Sequence, residues 1–164
     1  ATTEIYPLSL HDALPIYTIF LITADHCASS AGRTEIPLEK YHIPALIYAP
    51  GFVEPQHVGG IVSQIDLMPT LLSLLNMSYD SHFYGRSIYD EGYVNRAFIA
   101  TYQDLGYLEG DVFTNLSPVR RFEQYRVVPT EDNPHNLEPM ETENPEQVSR
   151  AIGYYQTSSA WNKR

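Results

Sequence analysis

Residues 17–23 read Tyr-Thr-Ile-Phe-Leu-Ile-Thr and run directly into Ala24-Asp25-His26. The first seven are apolar or β-branched without alternation, the pattern of a strand buried on both faces at the centre of a parallel sheet. The next stretch, Ala24 to Arg33 (ADHCASSAGR), is small and polar, so it reads as a loop leaving the strand's C-terminal end. Open α/β sheets place their ligands at that edge. Neighbouring residues on a strand point to opposite faces, so Asp25 and His26 can converge only once the strand has ended. A carboxylate beside an imidazole offers one hard and one borderline donor, which suits Mn²⁺, Zn²⁺ or Mg²⁺. Taken alone an Asp-His dipeptide is a weak signal, and its plain reading is a loop pair sharing a local hydrogen bond.

Working outward, Tyr41 to Tyr48 (YHIPALIY) is a second strand-like run closed by Pro50 and Gly51, with Pro44 marking an edge or a bulge. Gly59 to Asn76 predicts a helix capped by Ser63 or Asp66, with Pro69 in its first turn and Leu67, Leu71, Leu74 and Leu75 on one face. Ala97 to Tyr102 is another strand. Asp111 to Leu116 and Arg120 to Val128 are extended stretches that suit a hairpin. Pro129 to Pro145 is rich in Pro, Glu and Asn, which predicts a solvated loop. From Glu146 to Trp161, Val148, Ile152 and Tyr155 fall at helical spacing. The order strand, loop, strand, helix favours an α/β unit followed by a smaller α+β appendage.

The opening residues 1–16 (ATTEIYPLSLHDALPI) resemble a translation of the universal adapter of short-read DNA sequencing, with Pro7 standing where the adapter encodes Thr. They have neither the basic start nor the unbroken apolar centre of a secretory signal. They are expected to be adapter-derived, with the native frame cut at Tyr17 and its N-terminal portion missing. Three segments are therefore expected: 1–16 as an artefact, 17–90 as the C-terminal half of a catalytic domain, and 91–164 as an α+β subdomain carrying the acidic loop 129–145.

Composition narrows the classes. The 164 residues are 43% hydrophobic and 18% charged, enough for a folded core. Ten Lys and Arg stand against twenty Asp and Glu, a net charge of −10, which argues against nucleic-acid binding. One cysteine excludes a disulfide framework and a multi-thiolate zinc site. No apolar run is long enough to span a bilayer.

The runs TIFLITADH, GRTEIPLEKYHIPALIYAPG and SQIDLMPTLLSLL together resemble the C-terminal half of the sulfatase-like branch of the alkaline phosphatase superfamily. Within it the pattern is most similar to the lipoteichoic acid synthase family of phosphoglycerol transferases. The resemblance is strong from Tyr17 to about Tyr89 and looser through RAFIATYQDLGYL and AIGYYQT. It implies an alkaline-phosphatase-like α/β sandwich and maps two ligands of a catalytic divalent metal onto Asp25 and His26. Mn²⁺ is the first expectation, with Zn²⁺, Mg²⁺ or Ca²⁺ as alternatives. Arg33, eleven residues before Pro44, matches a Lys of related sulfatases that contacts the transferred group. A guanidinium there could fork onto phosphate oxygens, and a solvated loop arginine is the plainer reading.

The resemblance further implies a phospholipid-headgroup donor, a glycan or polymer acceptor, and a Thr nucleophile earlier in the family's sequence. It implies a bacterial, membrane-anchored parent with an extracytoplasmic catalytic domain, membrane contact lying in the missing N-terminal part. The fragment alone is then expected to be inactive. A sulfatase or phosphodiesterase of the same fold, and a non-catalytic binding module, are the competing readings. Cys27 lacks the Arg that a formylglycine motif needs, since position 31 is Ala, so it reads as a small buried thiol. His42 reads as a core histidine within a strand, and His57, His82 and His135 as loop decoration. Asp66 is explained by capping.

Overall fold

Antiparallel pairing organises the strands of this chain. The computed structural model describes residues 18–27 and 36–161. Strands β1 (Phe20–Thr23) and β2 (Ala45–Tyr48) form a two-stranded ribbon in which Phe20 faces Tyr48 and Thr23 faces Ala45. Helix α1 (Leu67–Leu74) follows, entered through a short turn at Gln64–Asp66. Five strands then run as a meander in chain order: β3 (Arg96–Ala100), β4 (Leu105–Glu109), β5 (Val112–Ser117), β6 (Arg121–Val127) and β7 (Leu137–Pro139). Helix α2 (Pro145–Trp161) closes the described chain.

The meander is covered on both faces, as strand alternation allows. On one face Ile99 and Phe113 pack with Ile36 and Leu38 from the segment before β2, flanked by Leu108, Tyr125 and Val127. Gly106 makes this possible, because a Cβ there would stand 2.6 Å from the Phe113 ring. On the other face α2 lays Val148 and Ala151 against the sheet, and Tyr154 stacks on the fully buried Tyr107 with ring centroids 5.6 Å apart. Gln147 Nε2 donates to the Val112 carbonyl at 2.8 Å. The Tyr155 hydroxyl reaches the Ile99 and Gly106 carbonyls at 3.0 and 2.7 Å. Burial pushes that hydroxyl up to about 12, the backbone bond to Ile99 pulling weakly the other way.

A buried ion pair joins α1 to the sheet. Arg96 is 2% exposed and Asp66 0%. The guanidinium meets the carboxylate as a fork, Nη1 to Oδ2 at 3.0 Å and Nη2 to Oδ1 at 3.2 Å. The Arg86 amide and the Tyr93 hydroxyl each add a bond to the same carboxylate at 2.8 Å. Rings of Tyr93, Phe98 and Tyr154 lie 5.3–5.6 Å from the guanidinium carbon, near enough for cation–π attraction. Burial opposes the charge on Arg96, but Asp66 outweighs it and holds the guanidinium above its usual range. Desolvation and the bond to Asp66 push the Tyr93 hydroxyl well up as well.

Three expectations are corrected here. Residues 20–23 do not form a doubly buried parallel strand: among the described residues β1 pairs only with β2, antiparallel, and no layer covers the outer face, leaving Ile22 55% and Leu46 56% exposed. Asp66 makes no side-chain cap on α1, since its oxygens are spent on Arg96, Arg86 and Tyr93. His42 is exposed, because the strand begins only after Pro44. The hairpin and the C-terminal helix appear where their patterns place them, and the loop 129–145 gains only the short β7. No helix among the described residues is long and apolar enough to cross a membrane.

Removing one partner of the buried pair leaves the other charge uncompensated, so Asp66→Ala or Arg96→Ala is expected to cost about 3–5 kcal/mol. Urea unfolding followed by circular dichroism measures it, and a loss below about 1 kcal/mol would contradict the role given to the pair. The raised Tyr155 hydroxyl contributes stability that is complete below the ordinary tyrosine value of about 10 and is lost as pH rises toward about 12. Tyr155→Phe should flatten that part of the stability–pH curve, and an unchanged slope would speak against it.

Candidate functional site

The loop after β1 is pinned from two sides. The Ala24 amide donates to the Pro44 carbonyl at 3.4 Å, and Thr23 Oγ1 to the same carbonyl at 3.1 Å. Gln64 Nε2 donates to the Ala24 carbonyl at 3.0 Å. Gln64 sits two residues before Asp66, so the buried ion pair and the loop are tied through one short turn. A sequence reading does not find this anchor, because Gln64 and Ala24 are forty residues apart and neither carries a motif.

Asp25 and His26 follow at once, exposed, with side chains 87% and 64% accessible. Asp25 Oδ1 accepts the His26 amide at 3.0 Å, the local bond that the plain reading of the dipeptide expects. His26 Nδ1 lies 2.9 Å from the Cys27 carbonyl. A carbonyl can only accept, so in the neutral ring Nδ1 carries the proton and Nε2 presents its lone pair. The two atoms left free, Asp25 Oδ2 and His26 Nε2, are 3.4 Å apart. That spacing lets both reach one cation, and the donor set fits Mn²⁺, Zn²⁺ or Mg²⁺. Among the described residues no group of three or more His, Cys, Asp or Glu side chains gathers to hold a metal. Among the described residues, the strand end brings together one carboxylate oxygen and one imidazole nitrogen.

These side chains line a cavity of about 1470 Å³ between the ribbon, α1 and the sheet, shared with Gln64, His42 and His135. Cys27 is half-buried, its thiol 3.7 Å from the His42 carbonyl. His82 packs on Trp161 with centroids 5.8 Å apart, and His57 is exposed, so both are loop decoration. His42, expected in the core, and His135, expected as loop decoration, instead meet each other at the cavity wall with ring nitrogens 3.2 Å apart. Arg33 and residues 1–16 lie outside the described residues.

Comparison with known proteins adds an independent line. Residues 11–77 match the sulfatase family model, a span that begins within the adapter-like opening and contains Asp25 and His26. The fold resembles a crystal structure of a protein in the alkaline phosphatase superfamily from Vibrio parahaemolyticus. The two share 28% sequence identity and superpose with a TM-score of 0.75 over 88% of this chain. The chain spans 35% of that protein's length. The two matches agree with each other, and this chain is similar in part of its sequence to the sulfatase family and in fold to a protein in the alkaline phosphatase superfamily.

Gln64→Ala is expected to loosen the loop while leaving Asp25 and His26 in place. Loss of one bond of about 1 kcal/mol corresponds to roughly fivefold faster hydrogen exchange at the Ala24 and His26 amides. Exchange monitored by NMR checks this, and unchanged rates would show that the turn does not hold the loop.

Proposed function

We propose that this chain carries the metal-binding strand end of a phosphoglycerol transferase of the lipoteichoic acid synthase type, acting on a phospholipid headgroup outside the cytoplasm. The observation that carries the reading is the pair of free donors, Asp25 Oδ2 and His26 Nε2, 3.4 Å apart at the C-terminal end of β1. A bound divalent cation, Mn²⁺ first, would supply Lewis acidity toward a phosphate oxygen and toward the attacking hydroxyl. The chain's own contribution is positional. The Cys27 carbonyl fixes the His26 tautomer, the His26 amide orients the Asp25 carboxylate, and Gln64 holds the loop. Arg33 is proposed to fork onto the phosphate oxygens as charge develops during transfer. A nucleophilic Thr and a further carboxylate ligand, which the resemblance places earlier in the fold, complete the proposal. A glycan or polymer is the proposed acceptor.

Two observations support a partial site in a larger domain. The chain covers 35% of its structural relative, and the ribbon leaves Ile22 and Leu46 more than half exposed. The sulfatase family match favours a second reading, a hydrolase of sulfate or phosphate esters. Turnover by the longer parent protein separates the two. A transferase passes phosphoglycerol from labelled phosphatidylglycerol to an acceptor, whereas a hydrolase releases it, or sulfate, to water.

Titration of the chain with Mn²⁺, reading free ion by electron paramagnetic resonance, tests the donor pair. Weak, exchangeable binding is expected, weakened at least tenfold by His26→Ala or Asp25→Ala. Binding needs an unprotonated imidazole, so affinity falls as pH is lowered. Equal Mn²⁺ affinity in wild type and both variants would contradict the assignment. The chain alone is expected to show no turnover of bis(p-nitrophenyl) phosphate, and robust metal-dependent hydrolysis would overturn the view that its site is partial.

A further inference from the structure

We propose that His42 and His135 form a second binding site, for a divalent transition metal of the zinc, copper or nickel kind, distinct from Asp25 and His26. The two rings come from positions ninety-three residues apart and meet with His42 Nδ1 3.2 Å from His135 Nε2. Their planes stand at 86° with centroids 5.1 Å apart. Two ring nitrogens at that separation attract only if one carries a proton and the other a lone pair. A tetrahedral ion with metal–nitrogen bonds of about 2.0–2.1 Å holds its ligand nitrogens about 3.3 Å apart. The pair already has that spacing. A metal replaces the shared proton once each lone pair turns toward a point beside the nitrogen–nitrogen line, and His42 is exposed and has room to turn. In a neutral pair the donor ring moves its proton to its other nitrogen through solvent, so binding costs no net proton.

Both backbones are fixed before any ligand arrives. The His42 carbonyl accepts the Cys27 thiol, and the next amide, Ile43, closes a tight turn onto Tyr41 at 3.1 Å. The His135 amide donates to Asn133 Oδ1 at 2.9 Å. Asn133 is itself locked to Thr130 by amide bonds of 3.0 Å in each direction. Ordering entropy has therefore largely been met in the fold. The donors are two neutral nitrogens with no carboxylate, a set that favours Zn²⁺, Cu²⁺ and Ni²⁺ over Mg²⁺, Ca²⁺ and Mn²⁺. This chemistry separates the site from the carboxylate-bearing strand end. A metal here would clasp the acidic loop 129–145 to the segment leading into β2, with its remaining positions open to the cavity shared with Asp25 and His26.

Cu²⁺ titration of the full chain in the Asp25→Ala/His26→Ala background tests the proposal apart from the strand-end reading. One copper equivalent should remain, with electron paramagnetic resonance showing coupling to two imidazole nitrogens. Adding His42→Ala and His135→Ala should weaken that equivalent at least tenfold and abolish the two-nitrogen pattern. His42→Asn and His135→Asn, made singly, should each reduce the coupling to one nitrogen, with circular dichroism unchanged. An unaltered affinity and spectrum in the His42/His135 variants, or single-nitrogen coupling before they are made, would overturn it.

Discussion

The bond between Asp66 and Arg96 holds the two halves of this chain in one arrangement. It is a fully buried, forked ion pair whose carboxylate also satisfies a backbone amide and a tyrosine hydroxyl. Such a pair is costly to desolvate and gives little net stability against an apolar alternative. Its value lies in direction, because a fork with four donors admits one geometry. That geometry sets where α1 begins, where β3 begins, and where the turn at Gln64 sits. The turn in turn holds Ala24, and Ala24 presents Asp25 and His26. The route from a buried charge to an exposed donor pair alternates hydrogen bonds of about 3 Å with short stretches of backbone, Gln64 to Asp66 and Ala24 to Asp25.

The donor pair shows how a short polar loop acquires chemistry. Asp25 spends one oxygen on the His26 amide and His26 spends one nitrogen on the Cys27 carbonyl. What remains is one oxygen and one nitrogen, both open to the cavity. A local bond that would make the dipeptide unremarkable is the same bond that orients it for the proposed metal. The two readings of Asp-His, loop pair and ligand pair, are therefore compatible.

Much of the fold was legible in the sequence where local pattern decides it. The β5–β6 hairpin, helix α2 and the break at Asp25 follow from alternation, helical spacing and a change from apolar to small polar residues. Strand β4 was hidden because Leu105–Glu109 is five residues with a glycine at its second position, and that glycine is needed to seat Phe113. The run at 17–23 signals burial but carries no information about pairing, so the antiparallel, half-open state of Phe20–Thr23 could not be read. Asp66 looked like a cap because its partner Arg96 is thirty residues away. His42 and His135 illustrate the same limit, since a contact across ninety-three residues leaves no trace in spacing. The Asp25–His26 local bond follows from adjacency at a strand end, whereas a metal role for the pair is implied by the family resemblance and not by the spacing.

Asp25 and His26 are proposed to hold a divalent metal at the end of β1. Diffraction from crystals of the chain soaked in Mn²⁺, with data collected on the high-energy side of the manganese edge, tests it most directly. The account predicts an anomalous peak within bonding distance of both Asp25 Oδ2 and His26 Nε2, absent from crystals of His26→Ala. Ordered Asp25 and His26 side chains with no peak between them at millimolar Mn²⁺ would contradict it.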